Sequence, residues 1–163
     1  MNSASFDPVS TPAAKVLVLG TLPGQESLRR GEYYAHPRNA FWRIVEAMFQ
    51  IPAEAEYAER VRRLNAAGVA LWDVCAAAHR PGSLDTSIRS EIPNDFAKFL
   101  KTHPRVKLIC FNGAKAAALF RKHVSLDVDI PIVDLPSTSP ANAGIPLAEK
   151  VKRWSIIKEA CDT

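Results

Sequence analysis

The sequence predicts an α/β protein, a three-layer α/β/α sandwich built around a mainly parallel four-stranded sheet. Apolar, strand-like runs alternate with helical segments along the chain, at residues 16–19, 69–74, 106–111 and 130–135. Such alternation favours a parallel sheet with helices on both faces. With 163 residues, of which 47% are hydrophobic and 23% charged, the chain can bury a core as one soluble globular domain.

Helical periodicity fills the intervals between these strands. Residues 39–49 place an apolar stripe on one face, made of Phe41, Ile44, Val45, Met48 and Phe49. Further helices are predicted over residues 54–67, 93–104, 114–122 and 146–160. Asn94 is the expected N-cap of the helix over residues 93–104. Phe41 and Trp42 are expected in the core rather than in a ligand site.

Composition sets broad limits on location and partners. Residues 1–12 are polar and contain proline, which predicts a flexible N-terminal tail before a single domain over residues 13–163. No apolar run approaches the ~20 residues of a membrane helix, and no signal-peptide pattern opens the chain. The cysteines, Cys75, Cys110 and Cys161, are widely spaced in apolar sequence, as expected of buried thiols in a reducing cytoplasm. The net charge of +4 permits an anionic partner such as nucleic acid.

Several common catalytic motifs are absent from the sequence. It has no CxxC pair for zinc or an iron–sulfur cluster, no Walker glycine loop, no GxSxG and no HExxH. Nucleotide hydrolysis, acyl transfer and zinc proteolysis therefore have no support. Neither a metal nor another cofactor is expected.

Unusual polar and aromatic residues cluster in the loops that follow the predicted strands. These loops span residues 20–39, 73–85, 112–115 and 136–144. In parallel α/β sheets, ligands bind in the crevice at the carboxyl ends of the strands. The four loops therefore predict a single candidate site.

Three residues of these loops are the first candidates for the site. Tyr34 lies where its ring can stack on a planar ligand. Asn39 is either a ligand-facing amide or only the cap of the helix that follows it. Asp73 ends an apolar strand, so its carboxylate is either satisfied by neighbouring backbone donors or directed into the crevice.

The other two loops carry polar residues as well. Asn112 precedes Gly113, which favours a turn residue that caps the next helix, and that helix N-terminus, with Lys115, can also hold a phosphate. The segment LPSTSPANAG, residues 135–144, places three hydroxyl groups between prolines. Such a loop is stiff and rich in hydrogen-bond donors, which suits it to binding a DNA backbone. Turns that contain serine and proline are common, so this loop alone does not identify a function.

Five segments in this order give the chain a family resemblance: LGTLPGQESL, YYAHPRNAFW, GVALWDVC, FNGAKA and LPSTSPANA. They resemble the uracil-DNA glycosylase superfamily, and most closely its hypoxanthine-DNA (deoxyinosine) glycosylase branch. The resemblance extends over residues 16–154. It implies base excision, in which a deaminated base is flipped out of DNA and a positioned water hydrolyses its N-glycosidic bond.

The resemblance also implies a residue that holds the attacking water. The first motif of the superfamily often supplies an Asp or Asn for this purpose, but Leu22 stands at that place in GTLPG. In the hypoxanthine branch an Asn in the HPxN segment takes over the role, and here that residue is Asn39. Asn39 is therefore the expected catalytic residue.

Further roles follow from the resemblance position by position. Tyr34 matches the ring that stacks on the flipped base, and Asp73 falls where uracil enzymes carry a base-reading Asn. Ser137 stands where those enzymes have a histidine that stabilises the departing base. Ala141 stands about where relatives insert a leucine wedge, so the expected wedge here is either smaller or built from Asn142. The expected base-binding residues are Tyr34, Asp73, Leu22 and Asn112. The expected DNA-binding residues are Ser137, Ser139, Ala141, Asn142 and Lys115.

The sequence thus predicts a monofunctional DNA glycosylase that removes hypoxanthine, with uracil or xanthine as further substrates. We expect it to act as a monomer on DNA, in the cytoplasm and associated with the nucleoid. Two alternatives stay open. One is a uracil-preferring glycosylase, since Asp73 does not decide the base; the other is a catalytically silent DNA-binding domain that senses deaminated bases, which the lack of an acid at Leu22 favours.

Overall fold

The computed structural model describes residues 2–79 and 89–163, which include two β-sheets. The strands are β1 Asn2–Ala4, β2 Val16–Gly20, β3 Val69–Asp73, β4 Cys75–His79, β5 Arg89–Pro93, β6 Leu108–Asn112 and β7 Ile132–Leu135. The larger sheet has the order β3-β2-β6-β7, and each neighbouring pair in it is parallel. The predicted four-stranded parallel sheet is confirmed.

The helices are α1 Gln25–Arg30, α2 Phe41–Phe49, α3 Tyr57–Ala67, α4 Phe96–Thr102, α5 Ala114–His123, α6 Leu147–Trp154 and α7 Ile156–Cys161. Helix α1 was not expected from the sequence, and the predicted last helix is divided at Ser155. Asp95 rather than Asn94 caps α4, because its carboxylate accepts from the Lys98 N–H at 3.0 Å. The Asn94 amide instead donates to the Asp73 carbonyl oxygen at 2.8 Å.

The central strand β2 contributes to a core on each face of the larger sheet. Val16 and Val18 pack in the core that contains α2, α3, α6 and α7. Leu17 and Leu19 pack in the other core, with α4 and α5. Because side chains alternate along a strand, a strand that is apolar at every position must be covered on both faces. This arrangement confirms the three-layer α/β/α sandwich.

The N-terminal segment differs from the flexible tail that its composition predicted. Strand β1 pairs antiparallel with β4, and Val9 forms an antiparallel bridge with Leu71. The Trp72 indole N–H donates to the Phe6 carbonyl oxygen at 2.9 Å. Backbone pairing and one partly buried indole thus hold residues whose polar composition did not predict a strand.

The smaller sheet, of order β1-β4-β5, was also not expected. The sequence placed a loop over residues 73–85, but residues 75–79 form β4, and residues 80–85 lie outside the described part of the chain.

Within residues 2–79 and 89–163, no helix has the length and apolar character required to span a membrane.

Candidate active site at the strand ends

A cavity of about 920 Å³ opens at the carboxyl ends of the four parallel strands. Its walls include the last residue of every one of these strands, namely Gly20, Asp73, Asn112 and Leu135. The predicted site residues that line it are Leu22, Tyr34, Asn39, Asp73, Asn112, Ser137, Ser139, Ala141 and Asn142. Lys115 is not part of the lining, although Ala114 beside it is. The cavity has the position that parallel-sheet topology predicts for a ligand site.

A buried tyrosine holds the Asp73 carboxylate. Asp73 is only 2% exposed, and its Oδ2 accepts a 2.9 Å hydrogen bond from the Tyr33 hydroxyl. Burial and the adjacent negative charge of Asp73 raise the pKa of Tyr33 well above its ordinary value, so the hydroxyl keeps its proton and remains a donor. The charge is therefore stabilised by a side chain from another loop while Asp73 still lines the cavity.

Tyr33 is itself fixed in position by hydrogen bonds to its backbone. Its N–H donates to the Tyr57 hydroxyl at 3.0 Å, and its carbonyl oxygen accepts from the Trp42 indole at 3.0 Å. The Phe6 ring meets the Tyr33 ring edge-on, with centroids 5.0 Å apart. Sequence analysis did not assign Tyr33 to the site, because nothing in the local pattern links it to a carboxylate forty residues away.

Gly20 allows Asp73 and Tyr34 to approach the end of β2. A Cβ atom at position 20 would lie 2.9 Å from Asp73 Oδ1 and 3.2 Å from the Tyr34 hydroxyl oxygen. The first of these distances is shorter than a carbon and an oxygen can tolerate without movement. A glycine is thus required here by close packing of two site residues.

Tyr34 presents an aromatic ring supported from behind. Its ring stacks on Phe41, with centroids 4.1 Å apart and an interplanar angle of 24°. Its φ of 57° is left-handed, an uncommon conformation for a bulky residue. The next residue, Ala35, is held by a 3.1 Å hydrogen bond from its N–H to the buried Ser27 hydroxyl. Strain of this kind is often found where a site holds a side chain in place.

Asn39 lies just before α2 and lines the cavity. Ala40 is the N-cap of α2 and makes no side-chain cap bond, but Asn39 Oδ1 accepts from the N–H of Phe41, the first helical residue, at 3.0 Å and so caps the helix from one residue further out. The Asn39 N–H donates to the His36 carbonyl oxygen at 2.9 Å, which closes a turn before the helix. An amide oxygen has two lone pairs and the amide nitrogen two hydrogens, so capping leaves further capacity for hydrogen bonds within the cavity it lines.

Asn112 ties the end of β6 to the loop over residues 136–144. Its Nδ2 donates to the Thr138 hydroxyl at 2.9 Å, and its Oδ1 accepts from the Thr138 N–H at 2.9 Å. Gly113, not Asn112, is the N-cap of α5, and no side chain caps that end. The expectation that Asn112 caps the helix is therefore wrong, whereas its expected contact with the base stays a prediction.

The loop over residues 136–144 is held by its own short polar side chains. Ser137 Oγ accepts from the Ser139 N–H at 3.1 Å, and Ser139 Oγ accepts from the Ala141 N–H at 3.2 Å. The Asn142 amide donates to the Ser137 carbonyl oxygen at 3.0 Å. The Thr138 carbonyl oxygen accepts from the Ala40 N–H at 2.9 Å and so joins the loop to the start of α2. The loop is thereby fixed against the segment that carries Asn39.

Leu22 contributes an apolar part of the wall. It is 6% exposed and packs in the core that contains α4 and α5. A hydrocarbon side chain cannot orient a water molecule. The cavity wall also includes Ser27, Asp134 and Arg153, none of which the sequence singled out. Asp134 forms an ion pair with Arg121, and Arg153 forms one with Glu149. Neither Asp134 nor Arg153 belongs to a sequence motif that would mark it as a site residue.

The described part of the chain contains no group of residues arranged to bind a metal ion. Across residues 2–79 and 89–163, no three His, Cys, Asp or Glu residues are grouped so that they could hold a metal ion. The polar groups at this cavity are the carboxylates of Glu26, Asp73 and Asp134, the His36 ring, the Arg153 guanidinium, amides and hydroxyls. Such groups orient a substrate and a water by hydrogen bonds.

Comparisons with known proteins identify the family to which the chain is similar. The family model of the uracil DNA glycosylase superfamily matches residues 8–158. A hypoxanthine DNA glycosylase of Methanosarcina acetivorans is 36% identical over 143 residues, which are 87% of this chain and 89% of that protein. A hypoxanthine DNA glycosylase of Methanosarcina barkeri is 37% identical over 117 residues, 71% of this chain and 74% of that protein.

A solved structure is similar over its whole length. It is a solution NMR structure from Methanosarcina acetivorans, described as a candidate uracil DNA glycosylase, and it covers 100% of both chains with a TM-score of 0.84 at 32% identity. The match of the family model alone extends over nearly the whole chain. The chain belongs to the uracil DNA glycosylase superfamily.

Proposed function

We propose that this protein is a DNA glycosylase that flips hypoxanthine out of DNA into the strand-end cavity and hydrolyses its N-glycosidic bond. The observation that carries the proposal is the meeting of an aromatic platform, Tyr34, a buried carboxylate, Asp73, and an amide, Asn39, in one cavity. The names of the two Methanosarcina relatives support the choice of hypoxanthine.

Asp73 is the proposed reader of the base. Deamination converts adenine N1 from an acceptor into the N1–H donor of hypoxanthine, and a carboxylate can accept from that N–H. An ionised carboxylate has about four acceptor positions, so the bond from Tyr33 leaves capacity for the base. Adenine would direct a lone pair at the same oxygen, which is repulsive in a buried site. On this account Asp73 recognises the chemical change that deamination makes.

Tyr34 is the proposed stacking surface for the flipped base. Its ring already rests on Phe41, so it loses little freedom when a base stacks on it. Stacking of a base on an aromatic side chain contributes about 1–3 kcal/mol and tolerates different bases. Tyr34 therefore adds affinity for an extrahelical base, while Asp73 supplies selectivity.

Asn39 is the proposed residue that positions the attacking water. An amide orients water but is a weak base, and the apolar Leu22 cannot assist it. Bond breaking must then run ahead of attack, with an oxocarbenium-like sugar drawing in the water. The departing base anion requires donors, which the Ser137 hydroxyl and the surrounding loop can offer.

The loop over residues 136–144 is proposed to bind the DNA backbone, with Ser139 contacting a phosphate and Ala141 or Asn142 entering the gap left by the base. Lys115, although outside the cavity lining, adds positive charge at the start of α5. These contacts would position the DNA without reading its sequence. We expect one copy of the chain to act on each lesion.

The decisive experiment is a glycosylase assay on labelled duplexes that contain a single inosine, uracil or xanthine, followed by alkaline cleavage. We expect cleavage at inosine and none in a matched duplex with adenine. Stronger cleavage at uracil would establish the uracil-preferring alternative. Binding to lesion-containing DNA with no cleavage at any of the three bases would establish the silent sensor.

A further inference from the structure

A second cavity, of about 190 Å³, adjoins the candidate active site across the Ser139 turn. The two cavities share Thr138, Ser139, Pro140 and Ile145 as their common wall. The remaining walls of the smaller one come from the start of α2 and from the chain that leads into and through α6. Its volume equals that of about six water molecules at ~30 Å³ each, enough for one phosphate group with some water.

The small cavity is lined by cations and by no acid. Arg38, Arg43 and Lys150 all contribute to its wall. In the described part of the chain, no carboxylate forms an ion pair with any of these three residues. Three like charges around one cavity repel each other, which makes the site favourable for an anion.

Lys150 is the most unusual of the three. It is only 4% exposed, and lysine is almost never that buried unless it is paired. Burial and the neighbouring Arg43 cation lower the pKa of Lys150. The other lysine of the same helix, Lys152, is exposed. A buried cation without a carboxylate partner destabilises the fold unless an anion joins it.

We propose that Arg38, Arg43 and Lys150 bind a backbone phosphate of the DNA strand that carries the excised base. This inference rests on the proposed function. A nucleotide whose base occupies the large cavity has phosphates on both sides of its sugar, so one of them falls beside the wall that the two cavities share. Ser139 Oγ accepts from the Ala141 N–H, and the hydroxyl hydrogen can still donate to a phosphate oxygen at that wall.

The first test is the salt dependence of binding to a duplex that contains a stable abasic-site analogue. Each phosphate contact contributes a slope of about −0.9 to log K against log salt concentration. Lys150→Gln should weaken binding at least fivefold and flatten the slope by about one contact. Lys152→Gln, the same charge change on the exposed face of α6, should leave the slope unchanged.

Thermal stability separates a ligand-binding lysine from a structural one. Removing an unpaired buried charge should leave the melting temperature of Lys150→Met equal to or above that of the wild type. A lower melting temperature in Lys150→Met, together with a wild-type salt slope in Lys150→Gln, would overturn the proposal and make Lys150 a structural residue.

The second test locates the phosphate. Neutral methylphosphonates replace, one at a time, the phosphates near the abasic analogue, and binding is measured for the wild type and for Lys150→Gln. At one position the losses of binding caused by the methylphosphonate and by Lys150→Gln should be non-additive, because each change removes the same contact. Additive losses at every position would also overturn the proposal.

Excision of hypoxanthine by the wild type, measured in parallel, separates this inference from the proposed function. Normal excision with a salt slope that does not depend on Lys150 would refute only the proposed phosphate binding at the small cavity. The opposite result would refute only the proposed reaction. In that case the wild type excises none of the three bases, but the salt slope still depends on Lys150 and one methylphosphonate position is still non-additive with Lys150→Gln.

Discussion

The Tyr33 hydroxyl donates a 2.9 Å hydrogen bond to Asp73 Oδ2, and both residues are 2% exposed. This contact connects the loop after β2 with the end of β3. A hydrogen bond to a buried charge contributes more to stability than one between neutral groups, and its loss leaves the charge costly to bury. The same contact therefore supports the fold and directs the carboxylate of the candidate site.

Tyr33→Phe should lower both stability and excision. Loss of the donor leaves the buried Asp73 carboxylate without its tyrosine, and the free energy of unfolding should fall by about 1–3 kcal/mol. Excision of hypoxanthine should fall at least tenfold, because the carboxylate is no longer held. Tyr57→Phe is the matched control: it removes the hydroxyl that accepts from the Tyr33 N–H, a neutral hydrogen bond, so it should cost less stability. It should leave excision near the wild-type rate, because the Trp42 indole still holds the Tyr33 carbonyl oxygen.

Asp73→Asn should change which base is removed more than it changes affinity for undamaged duplex. The substitution exchanges an acceptor for a group that both donates and accepts. Loss of a hydrogen bond to a charged group costs about 1.5–3 kcal/mol, so hypoxanthine excision should fall roughly 10- to 150-fold. Asp134→Asn makes the same change at an exposed position of the same cavity and should not alter the ranking. An unchanged ranking in Asp73→Asn with a large fall in melting temperature would make Asp73 structural.

Two substitutions at position 39 separate capping from catalysis. Asn39→Ala should raise the barrier to excision by roughly 2–4 kcal/mol, as loss of one preorganised polar group does in other enzymes, and lower stability by about 1 kcal/mol through the lost cap. Asn39→Ser should keep a weaker form of the same bond to the Phe41 N–H, since a serine hydroxyl makes the equivalent turn, but its shorter side chain cannot hold the water. Single-turnover excision and thermal melts are measured on both. Wild-type excision by Asn39→Ser would assign Asn39 to the helix alone.

Tyr34→Ala should mainly weaken capture of the extrahelical base. Loss of stacking by about 1–3 kcal/mol corresponds to roughly a 5- to 150-fold weaker binding of a duplex with a flipped, non-hydrolysable nucleotide. Tyr34→Phe keeps the ring on Phe41 and should bind such a duplex as the wild type does. Equal binding by Tyr34→Ala and the wild type would show that the ring does not touch the base.

Gly20→Ala should impair the site by displacing Asp73. The new Cβ would lie 2.9 Å from Asp73 Oδ1, so the carboxylate must move or the strand must shift, at a cost of about 1–3 kcal/mol. We expect at least tenfold slower excision. A Cβ atom at Gly24, the N-cap of α1, would meet no atom within 4 Å, so Gly24→Ala should leave excision unchanged and lower stability only slightly, because alanine is a poorer N-cap than glycine. Full activity in Gly20→Ala would mean that the position of Asp73 is not critical.

The sequence by itself determined the sheet and the place of the site. Strand β2 is apolar at four consecutive positions, Val16, Leu17, Val18 and Leu19, which only a strand covered on both faces can satisfy. Alternation with helices then makes the sheet parallel, and parallel topology brings the strand-end loops to one edge. Tyr34, Asn39 and Asp73 could be selected because they lie in those loops.

The tertiary structure alone decided how these side chains are held. The bond of Tyr33 to Asp73 and the paired bonds of Asn112 and Thr138 join loops that are 40 and 26 residues apart. Strand β1 and the small cavity beside Lys150 likewise depend on residues that are far apart in the sequence. Periodicity and turn chemistry report on neighbours within a few residues, whereas these contacts form only when the sheet has brought separate loops together. Local pattern therefore indicates where a polar side chain lies, and packing decides which atom it meets.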